Sequence, residues 1–168
     1  MEPPIRLRPE VPADADFLYR LYASTRTEEM KQVPWSDAQK EAFLRMQFQA
    51  QSTHYHRYYP DASYHVISRE ERAIGRLYVY RTEDTIWVID IALLPEHRGV
   101  GIGGRLLSAI LEQAAAQQKR VRIYVERENP AMRLYNRLGF RKVEESGVYF
   151  LMEWSSGGKP GAAGSALG

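Results

Sequence analysis

The chain has 168 residues, 44% of them hydrophobic and 26% charged, a globular composition and a length that suits one domain of about 100–200 residues. Twenty-three basic residues against 21 acidic ones leave a net charge of +2, too balanced to mark a partner of nucleic acid or of an anionic membrane. There is no cysteine, which excludes disulfides, thiolate catalysis and Cys-zinc sites.

The opening MEPPIRLRPE carries two acids, three prolines and no apolar run, so no secretory signal is expected. Ile5 to Arg8 alternates apolar and basic residues and predicts a short strand. Phe17, Leu18, Leu21 and Tyr22 recur at helical spacing and predict a helix from Ala13 to about Thr25. Glu28 to Trp35 reads as a loop. Ser36, with Gln39 three residues on, is the start signal of a second helix running to about Gln51. A run of rings follows, from His54 to Tyr64. Tyr64–Ser68, Ala73–Tyr80 and Thr85–Leu93 predict three strands, the last two joined by a polar turn at Arg81–Asp84. The most apolar stretch, Ile86 to Leu94, is broken by Asp90 and is far too short to span a bilayer. A soluble, cytoplasmic protein is expected.

Gly103–Gln118 is amphipathic, with Leu106, Leu107, Ile110, Leu111 and Ala114 on one face. Val121, Ile123 and Val125 alternate with Arg122 and Tyr124, a strand. Asn129–Leu138 predicts a short helix stopped by Gly139. Arg141–Glu144 and Val148–Trp154 read as a closing hairpin. The order β-α-α-β-β-β-α-β-α-β-β predicts a mixed α/β domain over residues 1–155, with parallel pairing around the two crossover helices. Residues 156–168 are Gly-, Ala- and Ser-rich and predict a flexible tail.

Four of the twelve glycines lie at Gly99, Gly101, Gly103 and Gly104, between a strand and a helix. Glycines there let successive backbone N–H groups face one concavity, and the helix adds the positive end of its dipole. Arg98 adds a charge and a fork of donors. The segment reads as a pyrophosphate cradle. A P-loop needs Gly-Lys-Ser/Thr, but Gly104 is followed by Arg105-Leu106. Gly99, Gly101 and Gly104 match the dinucleotide pattern G-x-G-x-x-G, and Glu126 ends the next strand, where a ribose-binding acid would stand. Against that reading, five residues from Leu94 to Arg98 separate strand from glycine, and only about 40 residues follow Glu126, too few for a doubly wound sheet.

The loop Arg98-Gly99-Val100-Gly101-Ile102-Gly103 resembles the pyrophosphate loop of the GCN5-related N-acetyltransferases (GNAT). The segment Asn129-Pro130-Ala131-Met132-Arg133-Leu134-Tyr135-Asn136-Arg137-Leu138-Gly139-Phe140 looks like that family's second motif. The resemblance is strongest from Asp90 to Phe140; the first 80 residues carry no motif that anchors it. It implies a mixed, mostly antiparallel central sheet with four flanking helices and a V-shaped splay at the cofactor site. It also implies acetyl-CoA as donor, CoA as product and direct attack by a primary amine of a small molecule or protein.

By that resemblance the backbone of Arg98, Gly99, Val100, Gly101, Ile102, Gly103 and Gly104 holds the pyrophosphate. Ile91, Ala92 and Leu93 pair with the pantetheine arm, and a backbone N–H there stabilises the oxyanion. Tyr135 protonates the leaving thiolate, and Asn129 either caps its helix or bonds the cofactor. Asp90, an acid in an apolar strand, is read as base or acceptor-binding residue, or equally as a structural ion-pair partner. Trp87 stands near the place of the glutamate that relatives often carry. Glu28 and Trp35, with Glu29 and Asp37, are acceptor-site candidates; a solvated helix end is the competing reading. His54 and His56 carry no metal expectation, with no cysteine or carboxylate pair beside them. Three alternatives stay open: a non-catalytic CoA-binding or regulatory domain, an acyltransferase using a longer or carrier-bound acyl group, and, more distantly, a nicotinamide enzyme. A homodimer is compatible with the resemblance.

Overall fold

A computed structural model describes residues 4–157. The predicted tail lies, from residue 158 on, outside the described residues. Seven strands make one open sheet in the order β1-β2-β3-β4-β5-β7-β6. They are β1 (Ile5–Pro9), β2 (Ser63–Arg69), β3 (Arg72–Arg81), β4 (Thr85–Leu93), β5 (Arg120–Glu126), β6 (Arg141–Ser146) and β7 (Tyr149–Trp154). The helices are α1 (Ala15–Ser24), α2 (Thr27–Lys31), α3 (Asp37–Tyr58), α4 (Ile102–Gln117) and α5 (Met132–Arg137). The sheet is mostly antiparallel, and β4 with β5 is its parallel pair among the described pairings.

The chain divides into two compact units, Met1–Leu77 with Ile91–Arg98, and Tyr78–Asp90 with Gly99–Gly168. In the first, β1 pairs with β2 from Ile5↔Arg69 to Pro9↔His65. Helix α1 turns Phe17, Leu18 and Leu21 onto Val66 of β2, with Phe48, Ala73, Ala92 and Leu94 around them. Its neighbouring stripe, Tyr19 and Tyr22, packs on Leu44 and Phe48 of α3, the rings 6.0 and 5.7 Å from Phe48. Each such side chain contributes about 1.5–3 kcal/mol when taken from water.

Two expectations shift in this unit. Ser36 does start α3: its hydroxyl accepts from the Gln39 N–H, and the Gln39 side chain accepts from the Ser36 N–H. The helix then runs seven residues past Gln51, because the Tyr64 hydroxyl closes its end. That hydroxyl lies 3.0 Å from the Tyr55 carbonyl and 2.7 Å from the Tyr59 carbonyl. The expected loop at Glu28 contains the one-turn helix α2, braced by Arg26–Glu29 and Glu28–Lys31 pairs of 2.9 and 3.0 Å.

In the second unit Leu107, Ile110, Leu111 and Ala114 of α4 are buried, while Leu106 is half-buried. Helix α4 makes the crossover from β4 to β5, as expected for a parallel pair. The second crossover, through α5, does not give a direct parallel pair. β7 lies between β5 and β6 and is antiparallel to both. Helix α5 also begins three residues later than Asn129. Its end is as expected: Gly139 has φ +100°, its N–H donates to Asn136, and the Phe140 N–H donates to Tyr135, 3.1 and 3.0 Å. This double bond is the Schellman closure that glycine permits.

Candidate active site

The β4/β5 ladder is short. Its register pairs Thr85, Ile86 and Trp87 with Arg120, Val121 and Arg122. β5 goes on to pair with β7 as far as Glu126, but among the described residues no register pair joins Val88–Asp90 to β5. Register pairing of β4 with β5 thus ends at Trp87 among the described residues, ahead of Ile91–Leu93.

The glycine loop follows β4. Gly99 and Gly101 have φ of +76° and +88°, and a Cβ added at either would meet nothing within 4 Å. Their requirement is conformational, since L side chains avoid that region. Gly103 and Gly104 have a different reason. An added Cβ would stand 3.9 and 3.3 Å from Leu134, so α5 approaches the first turn of α4 closely. The backbone N–H groups from Gly99 to Gly104 donate to no acceptor among the described residues, and no side chain caps α4. Six successive donors at a helix start, exposed by glycines, fit an anionic diphosphate.

Arg98 does not point its fork along this row. Its Nε donates to the Leu93 carbonyl at 2.8 Å, and an Nη donates to Ser24 Oγ at 3.3 Å. Asn129 is not a helix cap either: its Oδ1 accepts from the Ala131 N–H at 2.7 Å, a turn ahead of α5.

Tyr135 sits on α5, 4% exposed, with its ring edge against Phe140 at 5.7 Å. Burial, and secondarily the charge of Asp90, push its phenol up to about 12. Asp90 is thus close enough to Tyr135 to act on it electrostatically. The phenol stays protonated through the physiological range, the form a proton donor needs.

The acceptor candidates Glu28, Glu29, Trp35 and Asp37 belong to the first unit. Glu28 is paired with Lys31 and 85% exposed at its side chain. Trp35 packs edge-on against Phe43 at 5.3 Å. Neither lines the groove of about 850 Å³ between α1, α2 and α3, whose walls include Asp16, Tyr19, Ser24, Asp37 and Glu41. Trp87 stacks on Tyr124 of β5, rings 6.0 Å apart, with Arg122 over it. Gly75 on β3 escaped the sequence reading. A Cβ there would land on the Ala92 carbonyl oxygen and 2.9 Å from Leu93 Cδ2, so the end of β4 passes over it. The available signal was a lone glycine inside a strand pattern.

The model of the acetyltransferase (GNAT) family matches residues 17–140, across the loop and α5. The chain belongs to this family. Solved GNAT structures carry the same fold. The PaiA N-acetyltransferase of Thermoplasma acidophilum in complex with coenzyme A superposes with a TM-score of 0.68 at 19% identity, over 90% of this chain and 99% of that one. Arabidopsis thaliana Naa50, in complex with the bisubstrate analogue CoA-Ac-MVNAL, gives 0.61 at 16%, over 90% and 98%. A GNAT acetyltransferase of Elizabethkingia anophelis with acetyl-CoA bound gives 0.57 at 16%, over 90% and 97%. At these identities the likeness is one of fold. No curated protein matches the chain in sequence. Acetyl-CoA is the cofactor consistent with GNAT membership and with the ligands of these structures. Among the described residues no helix is long and apolar enough to cross a membrane.

Proposed function

We propose that the protein is an acetyl-CoA-dependent N-acetyltransferase acting on a primary amine of a small molecule or protein, by direct attack within a ternary complex. The observation that carries this reading is the row of six N–H donors from Gly99 to Gly104 that meet no acceptor among the described residues, with Tyr135 buried on the helix that packs against the same turn. When bound, acetyl-CoA supplies an activated thioester.

The chain's own residues divide the work. The N–H groups of Gly99 to Gly104 hold the diphosphate. Ile91, Ala92 and Leu93, beyond the last β4/β5 register pair, hold the extended arm and polarise the thioester carbonyl. Tyr135 Oη gives its proton to the departing sulfur. The gap from about 12 to an ordinary thiol near ~8.5 makes full transfer cost about 5 kcal/mol, so the donation serves best as a hydrogen bond that shortens as the sulfur gains charge. Burial keeps Tyr135 protonated and the charge of Asp90 adds to it, a contact that supports a role for Asp90 beside the phenol better than that of amine base. Asn129 Oδ1 is used within its own turn, which leaves its amide N–H₂ as the group for the cofactor.

The test is release of CoA thiol from acetyl-CoA against a panel of amines. Because the protein has no cysteine, a thiol reagent reads the released CoA with no signal from the protein itself. Amine-dependent thiol release is the expected outcome. Tight acetyl-CoA binding with no release for any amine would move the reading to a regulatory CoA-binding domain, and release with longer acyl thioesters alone would move it to another acyl donor.

A further inference from the structure

The inference rests on reading Ile91–Leu93 as the strand end that carries the cofactor's arm. That segment closes in a peptide unit whose two polar atoms are both held. The Leu94 N–H donates to the Ile74 carbonyl of β3 at 2.8 Å, and the Leu93 carbonyl accepts from Arg98 Nε at 2.8 Å. The clamp continues. Arg98 Nη2 donates to Ser24 Oγ, and that hydroxyl donates to the Leu21 carbonyl in the last turn of α1, 2.7 Å. On β3, Gly75 leaves the space that Ala92 and Leu93 fill, since any side chain there would collide with the Ala92 carbonyl.

We propose that Arg98 is a positioning residue that acts through the Leu93 backbone, tying the end of β4 to α1, rather than a side-chain ligand of the diphosphate. The guanidinium presents donors in a fixed planar fork. Here Nε serves the strand and Nη2 serves the helix, so one side chain fixes the path by which the chain leaves β4 and enters the five-residue link to the glycines. Without it the Leu93–Leu94 peptide keeps only its N–H anchor and turns about the strand end. A displacement of about 1 Å there costs on the order of a hundredfold in a reaction that depends on alignment. The diphosphate needs no such side chain, having the six N–H groups of Gly99 to Gly104.

The experiment compares Arg98→Lys, which keeps the charge and loses the fork, with Ser24→Ala, which removes the far anchor and leaves Arg98 in place. Two quantities are read on each: kcat with acetyl-CoA, and the affinity for adenosine 3′,5′-diphosphate, the nucleotide half of the cofactor. The expected result is a loss of about tenfold or more in kcat for Arg98→Lys, a smaller loss of kcat for Ser24→Ala, and nucleotide affinity within about twofold of wild type for both. Both positions are partly exposed polar sites, so melting temperatures should stay near wild type. Wild-type kcat in Arg98→Lys overturns the proposal. So does Arg98→Lys losing nucleotide affinity in step with kcat, the mark of a side chain that binds the phosphates directly. Failure of the unmutated protein to bind either CoA or the nucleotide half would instead strike the parent reading, and is seen before any variant is made.

Discussion

Tyr135 and Asp14 are both buried, one on the helix of the proposed site and the other in an ion pair with Arg8. The proton donation proposed for Tyr135 requires its phenol protonated. With its phenol pushed up to about 12, it remains so until well above neutral pH. The rate profile should therefore show no alkaline fall attributable to Tyr135 below about pH 10. Tyr135→Phe should lower kcat by roughly a hundredfold or more while acetyl-CoA affinity stays within about threefold, since a positioned acid contributes about 10²–10⁴. Unchanged turnover would remove the assignment. Asp14, 7% exposed, accepts from Arg8 at 2.7 and 2.9 Å and from the Val11 N–H at 2.8 Å. Arg8, chiefly through its hydrogen bond, holds the carboxyl below its usual range. A depressed carboxyl adds stability that is fully present above its unfolded pKa near ~3.9 and is lost as pH falls through the lower folded value. Asp14→Asn should cost about 1–3 kcal/mol at pH 7 by urea unfolding, with the deficit vanishing in strong acid. By spacing alone Tyr135 reads as a core residue beside Leu134 and Leu138, and only the family resemblance made it a candidate acid; its burial is what the structure adds. The sequence was silent on Asp14, whose partner Arg8 is brought to it only by the turn between β1 and α1.

At the scale of elements, the glycines of the loop separate into two kinds. Gly101→Ala would force a non-glycine residue to φ near +88° and should destabilise by about 1–2 kcal/mol with no clash. Gly104→Ala keeps ordinary backbone angles but presses a methyl on Leu134 at 3.3 Å. Its penalty should fall when Leu134→Ala is added, a non-additivity that Gly101→Ala will lack; a double-mutant cycle by thermal unfolding reads the difference. The close approach also joins the two motifs physically, since the turn that presents the N–H donors rests on the helix that carries Tyr135. Local signals placed these elements well. Thr85–Leu93 was legible to the residue from its apolar run, the start of α3 from Ser36 and Gln39, and the end of α5 from Gly139. What local signals missed was supplied by tertiary partners. Tyr64 lengthens α3, β7 inserts between β5 and β6, and Gly75 admits the end of β4. The pairing of Glu28 was hidden for the same reason: a turn of helix brings Lys31 beside it.

For the whole molecule, the decisive property is linkage between ligand and stability. The six N–H groups from Gly99 to Gly104 have no acceptor among the described residues, so a ligand that engages them binds the folded state and has nothing comparable to bind in the unfolded one. At a concentration of about 100 times Kd such a ligand adds about 2.7 kcal/mol. For a chain of 168 residues that is a rise in Tm of about 5–10 °C. Acetyl-CoA and CoA should both give it, because they share the diphosphate and the arm, with the acetyl group adding little. ATP offers a phosphate chain without the arm and should give a small fraction of the shift. NAD should give none: the five residues between β4 and Gly99 leave no tight strand-to-helix turn, and β5 is followed by α5 and a hairpin instead of a second dinucleotide half. A differential scan with the four ligands at equal concentration checks all of this. Equal shifts for ATP and acetyl-CoA would mean that the loop reads phosphate alone and that the end of β4 from Ile91 to Leu93 has no part in binding.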